Sequence, residues 1–183
     1  AGLAVSEKKD STGICFLGER RYRNFLARWL SREPGPIETP QGAVLGQHQG
    51  LAYYTIGQRQ GLGIGGVAGS AEEPWFVAAK EPERNALVVV QGHDHPLLMS
   101  NRLRGGQLHW IAGRPPAEPP FACQARLRHR QPLQACRVER IDAAQCEVSF
   151  PRPQRAVAPG QSVVFYLGDE CLGGAVIESA ARD

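Results

Sequence analysis

No run of about eighteen apolar residues occurs in this 183-residue chain, so no membrane-spanning helix is expected. The N-terminus also lacks the short apolar core of a secretory signal peptide, and a soluble protein is the expectation. Cysteine is sparse and unpatterned. Five residues, an odd number with no CxxC pair, argue against a disulfide framework and against a structural zinc site. Cys123, Cys136, Cys146 and Cys171 fall in apolar or alternating runs, where a reduced, buried thiol is expected, and the cytoplasm fits that state. His93 and His95 have no third ligand pattern beside them and read as a polar turn, so no metal is expected.

Formal charge is only +3, but it is unevenly spread. Arg20, Arg21, Arg23, Arg28 and Arg32 crowd one segment, and Arg126, Arg128, Arg130, Arg137 and Arg140 another. Clustered arginine matters more than net charge for a polyanionic partner. In the first segment Tyr22, Phe25, Leu26, Trp29 and Leu30 recur at helical spacing, predicting a helix with an apolar face and an arginine face. That arginine face reads equally as solvated surface or as RNA contact. Glu33-Pro34-Gly35-Pro36 ends the helix, because proline restricts its predecessor and lacks the next donor.

Residues 1–17 read as an extended linker, and from Ile37 the texture turns to β. Ile37-Glu38-Thr39 and Ala43 to Gly46 flank the turn residues Pro40-Gln41-Gly42, and Trp75 to Ala78 and Ala86 to Val90 flank Glu81 to Asn85. Both read as hairpins. Gly61 to Gly66 holds four glycines in six residues and must be a loop or tight turn. A boundary is expected in the polar stretch Pro96 to Gly106, and Gly113 to Pro120 is a stiff, proline-rich connector. Beyond it, Phe121 to Arg130, Ala135 to Ile141, Cys146 to Phe150, Ser162 to Leu167 and Cys171 to Ile177 have the spacing of a closed barrel. The expected fold is mainly β with one N-terminal helix. A linker spans 1–17, a helix plus a small β-rich central domain spans 18–98, and a C-terminal barrel spans 99–183.

If residues 125–130 are extended, Arg126, Arg128 and Arg130 share one face, with Ala125, Leu127 and His129 on the other. Three guanidiniums in a row repel one another unless an anion lies over them. Bidentate contacts to phosphates would fix RNA in place without reading its sequence. A solvated barrel face is the other reading.

Cys15 lies apart from the strand cysteines, in Lys8-Lys9-Asp10-Ser11-Thr12-Gly13-Ile14-Cys15-Phe16 followed by Gly18-Glu19-Arg20-Arg21. Nearby cations and the start of a helix both favour the thiolate, the form that attacks and carries sulfur. A small buried hydrophobe is the alternative from composition.

The segment Asp10 to Arg21 resembles the persulfide-cysteine segment of the tRNA-specific 2-thiouridylases. His48-Gln49-Gly50-Leu51-Ala52-Tyr53-Tyr54-Thr55-Ile56-Gly57-Gln58-Arg59-Gln60-Gly61-Leu62-Gly63-Ile64-Gly65-Gly66 and Pro151 to Tyr166 are similar to two further blocks of that family, in the same order. The resemblance implies a β-rich central domain followed by a barrel like the second domain of elongation factor Tu. It implies Cys15 as the cysteine that receives a persulfide from a donor protein and passes sulfur to C2 of the wobble uridine of tRNA. It also implies tRNA contacts at Arg128, His129 and Gln161. The family commonly has Arg-Tyr-Arg-Gln where this chain has Arg128-His129-Arg130-Gln131, so stacking there falls to histidine.

By the same resemblance, ATP with its magnesium, a second cysteine that resolves the Cys15 persulfide into a disulfide, and an aspartate belong to an N-terminal ATP-pyrophosphatase domain. The Ser-Gly-Gly-x-Asp-Ser loop of that domain has no counterpart here, and Gly65 to Ser70 lacks its serine and aspartate. The chain is therefore expected to be the C-terminal portion of a longer enzyme, inactive alone. A methyltransferase label also attaches to the family, yet nothing resembles a methyl-donor site. Two other readings stay open: a stand-alone RNA-binding β module, and a non-enzymatic sulfur relay.

Overall fold

The computed structural model describes residues 32–64, 73–129 and 131–182. The expected linker, the expected helix around Tyr22 to Leu30, and Cys15 lie outside those residues. Three short 3₁₀ turns, Leu51–Tyr53, Pro82–Arg84 and Pro96–Leu98, are the helical segments among the described residues. None of these is long and apolar enough to cross a membrane.

The first unit is a four-stranded sheet in the order β2-β1-β4-β3. β1 (Gly35–Glu38) and β2 (Val44–His48) form one antiparallel hairpin, and β3 (Trp75–Glu81) and β4 (Ala86–Gln91) form another. Parallel pairing of β1 with β4 joins them. Both hairpins are the expected ones. Thr39 closes the first, accepting the Gly42 amide at 2.9 Å on its carbonyl and the Ala43 amide at 3.2 Å on its hydroxyl. Asn85 closes the second at φ 48°, a left-handed conformation that asparagine tolerates.

The unbroken apolar run Ala86 to Val90 marks a strand covered on both faces. Leu87 and Val89 meet Ile37, Tyr54, Leu62 and Val77 on one side, while Val90 meets Phe76 and Leu98 on the other. At the start of β1 the backbone approaches closely. A Cβ on Gly35 would stand 2.0 Å from the Asn85 carbonyl oxygen, so only glycine fits.

The second unit is a closed six-stranded antiparallel barrel in the order β10-β5-β8-β7-β6-β9. Its strands are β5 (Met99–Trp110), β6 (Phe121–Arg126), β7 (Gln134–Asp142), β8 (Gln145–Arg155), β9 (Ser162–Leu167) and β10 (Glu170–Ala181). Phe165, fully buried, stacks on Trp110 at 5.5 Å between ring centroids, and valines of β7, β8 and β9 fill the layer around them.

Three expectations need correction. The pause expected from Pro96 to Gly106 is mostly strand, because β5 runs through it; outward arginines and the Gly105-Gly106 pair hide the alternation. β6 stops at Arg126 rather than Arg130. β8 continues past Phe150 to Arg155 through Pro151 and Pro153. Pairing with β7 runs only from Asp142 with Gln145 to Arg137 with Ser149, and Gln154 and Arg155 pair with β5 alone. That end of β8 is an edge on its β7 side, the position where a sheet tolerates proline.

Candidate nucleic-acid interface

A cleft of about 820 Å³ opens where residues 55–58 of the sheet unit face the end of β6, the turn after it, and the start of β9. The sheet-side wall is rigid. Gly57 N–H donates to the Val77 carbonyl at 2.7 Å, Val77 N–H donates to the Gln58 carbonyl at 3.0 Å, and the Gln58 side chain accepts the Thr55 amide at 3.0 Å. The first two bonds clamp the turn to β3, and the third closes the turn on itself.

The barrel-side wall carries the charge. Inward Cys123 and Ala125 fix the parity of β6, so Arg126 points outward and Leu127 is buried. The Arg126 guanidinium lies over the Tyr166 ring at 5.6 Å from its centroid, and its Nε is buried without a hydrogen-bond partner. Arg128 Nη2 donates to the Ala156 carbonyl at 2.9 Å. Gln131 holds the intervening turn: its side chain accepts the Leu127 amide at 3.0 Å, its own amide donates to the Arg128 carbonyl at 3.1 Å, and its Nε2 reaches the buried Gln154 at 3.1 Å. Across the cleft Gln161 is anchored by its backbone, which accepts the Ile177 amide at 2.7 Å.

Arg126, Arg128, His129 and Gln161, four residues singled out from the sequence, therefore line one cleft. Arg130 and Cys15 lie outside the described residues. The strand-face account of the arginines is corrected: the strand ends at Arg126, and His129, expected beside Leu127, is exposed because residues 127–129 turn. Sequence reading missed Tyr166, Gln131 and the whole 55–58 wall. Their blocks carried the family resemblance, but nothing in them announced a cleft.

Among the described residues no Asp or Glu lines this cleft, while two arginines, a histidine and several neutral polar groups do. Arg155 stands close by, held below its ordinary ionisation range by burial and then by the charge of Arg128, with Asp94 opposing. Such a surface selects anions, and guanidiniums beside an aromatic ring suit phosphates flanked by bases.

Other histidines and cysteines among the described residues are engaged in structural contacts. His93 Nδ1 meets the Asp94 carboxylate at 2.7 Å, and His95 Nδ1 accepts the Leu97 amide at 3.2 Å. His48 is fully buried, its Nε2–H donating to the Asn85 carbonyl and its Nδ1 accepting the Gly50 amide. Cys123 and Cys136 face one another across β6 and β7 with sulfurs 3.5 Å apart, and Cys146 is pushed up to about 11, first of all by burial. The Cys136 thiol is raised first of all by its hydrogen bond with Cys123 and then by burial, so neither it nor Cys146 matches the reactive cysteine sought in the sequence.

Comparison with known proteins adds two family profiles. Residues 23–91 match one described as a tRNA methyl transferase PRC-barrel domain, and residues 100–177 match one described as an aminomethyltransferase beta-barrel domain. Similar curated proteins carry the name tRNA-specific 2-thiouridylase MnmA. That of Methylobacillus flagellatus is 57% identical over 180 residues, 98% of this chain and 50% of the relative. That of Thiobacillus denitrificans is 58% identical over 177 residues, covering 96% and 49%. That of Marinobacter nauticus is 57% identical over 182 residues, covering 100% and 46%. The chain spans about half the length of the curated relatives it matches.

Proposed function

Because the chain belongs to the tRNA-specific 2-thiouridylase family, we propose that it is the RNA-docking portion of an enzyme that replaces the C2 oxygen of the tRNA wobble uridine with sulfur. The observation that carries this reading is the acid-free cleft in which Arg126, Arg128, His129 and Gln161 converge. Arg126 and Arg128 bind phosphate and set the register of the RNA; His129, Gln161 and Tyr166 supply hydrogen bonds and a stacking face beside it. By its place in the sequence, Arg130 is assigned a further phosphate contact. The relatives that align along nearly the whole chain carry the name 2-thiouridylase, which supports sulfur transfer over the methyl transfer in the profile's description.

ATP with magnesium does not fit the cleft. No carboxylate among its described residues could hold the metal, and no glycine-rich turn feeding a helix offers amides to a triphosphate. Adenylation of the uridine is therefore not assigned to this cleft. Cys15, by its match to the persulfide segment, carries the sulfur received from a persulfide-bearing donor protein. Lys8, Lys9, Arg20 and Arg21 flank it in the sequence, and cations near a thiol favour the thiolate. Thiolation is expected to stop in a Cys15→Ser enzyme, and normal thiolation there would remove Cys15 from the mechanism.

The docking claim is tested by tRNA binding across a salt series, with duplex DNA as control. Binding that favours tRNA and weakens steeply with salt is expected. Arg126→Ala with Arg128→Ala should lower the slope of log K against log salt by about one unit per lost phosphate contact. Salt-insensitive or unselective binding would overturn the reading.

A further inference from the structure

The cleft has walls from two folding units, so its shape depends on how the sheet and the barrel are joined. That joint is small and specific. Ala156 N–H, just past β8, donates to the Leu98 carbonyl at 2.6 Å. Its Cβ occupies the space a side chain on Gly57 would need: a Cβ there would come within 2.5 Å of it, at φ 81°, where side chains are disfavoured in any case. Arg155 crosses from the barrel into the sheet unit. Its guanidinium lies 4.6 Å from the centroid of the Phe76 ring, and its Nε donates to the His93 carbonyl at 2.7 Å.

Arg155 does not line the cleft, yet it neighbours Arg128, which does. The position of a Gly57 Cβ is 3.4 Å from Arg128 Nη2 and 3.7 Å from Arg155 Nη1, and Nη2 of Arg155 is buried without a hydrogen-bond partner. A cation is therefore kept partly dehydrated beside a like charge. Stacking on Phe76 and the bond to His93 hold it there, and docking of the two units is what provides both.

We propose that Arg155 is a positioning residue: it bolts the barrel to the sheet so that Arg128 faces residues 55–58 across a cleft of fixed width, and an RNA phosphate bound at Arg128 tightens this joint by relieving the repulsion between the two arginines. The inference rests on the reading that the cleft takes RNA phosphate. By linkage, whatever docking gives to RNA affinity, RNA returns to docking.

The test uses tRNA and two variants. Arg155→Met keeps the stem and removes the charge and the donor; Phe76→Leu removes the stacking partner and no charge. If either lowers the docked fraction to about one tenth, the apparent Kd rises about tenfold. The salt slope stays at the wild-type value because no phosphate contact is lost, whereas Arg128→Ala reduces it by about one unit. Hydrogen exchange at the Ala156 amide should quicken in both variants and slow in the wild type when tRNA is added. Unchanged affinity in both variants overturns the proposal, and so does a slope in Arg155→Met that falls as it does in Arg128→Ala. If the wild type fails to bind tRNA, the RNA reading fails separately. Exchange at Ala156 then decides alone: quickening supports the bolt, and no change overturns it.

Discussion

The sheet leaves two edges, β2 and β3, and among the described residues its two apolar clusters hold six buried residues on one face and three on the other. The barrel closes on itself apart from the edge at the far end of β8, and its cluster holds sixteen buried residues, Phe165 and Trp110 among them. The contrast extends to polar groups. In the sheet unit, fully buried His48 ties β2 to Asn85 and Gly50, and the nearly buried Glu38 carboxylate pairs with Arg84. In the barrel the one buried polar side chain among the described residues, Gln154, lies at the rim beside the cleft rather than in the centre. A closed barrel is specified by its topology and needs only apolar volume inside. An open sheet with little volume is specified by directional bonds, each with a definite partner.

The largest expected effect tests the barrel half of this contrast. Phe165→Ala should cost about 3–5 kcal/mol, as aromatic truncations in packed cores do. Residue-resolved hydrogen exchange should show the loss in β5 to β10 and spare β1 to β4. Equal loss in both units would mean that they unfold as one and that the contrast has no energetic meaning.

Next comes the sheet. His48→Leu keeps apolar volume but strands the Asn85 carbonyl and the Gly50 amide, at about 1–3 kcal/mol for each buried group left unpaired. Denaturant unfolding followed at Trp75 should shift, while a probe at Trp110 should not. A near-neutral result would show that volume, not direction, holds the sheet as it does the barrel.

The smallest effect sharpens the comparison through pH. The Cys146 thiol is raised to about 11 from 9.0 by burial, so the fold favours its protonated form. Its contribution is full below pH 9 and is lost as pH rises from 9 to about 11, because the unfolded chain releases the proton first. Over those two units the barrel should lose on the order of 2–3 kcal/mol, and Cys146→Ala should flatten the profile. The described sheet contains no cysteine and should lack this alkaline limb; an identical limb in the variant would assign it to other groups.

Much of this organisation was legible in the residues. Pro40-Gln41-Gly42 and Glu81 to Asn85 announced the hairpins because turn chemistry is local, and the barrel strands announced themselves by spacing. The start of β5 was hidden because Arg102 and Arg104 face outward and Gly105-Gly106 carries no hydrophobic signal. In the site, parity foresaw the outward Arg126 and the buried Leu127 but not the turn that exposes His129. The 55–58 wall was invisible for a different reason: it contributes through backbone bonds to Val77 and through the missing side chain of Gly57. Neither has a compositional signature. Gln131 and Gln154 matter only once strands distant in sequence have met.

The position of β10 between β5 and β9 has a consequence for biosynthesis. Both neighbours are made earlier, and each keeps an open edge until the last strand of the barrel leaves the ribosome. The sheet, complete by Gln91, is available to fold well before then. A nascent chain stalled before Glu170 would therefore present two unpaired strands, the template that chaperones and aggregating partners recognise, and would lack the closed barrel that supports one wall of the cleft.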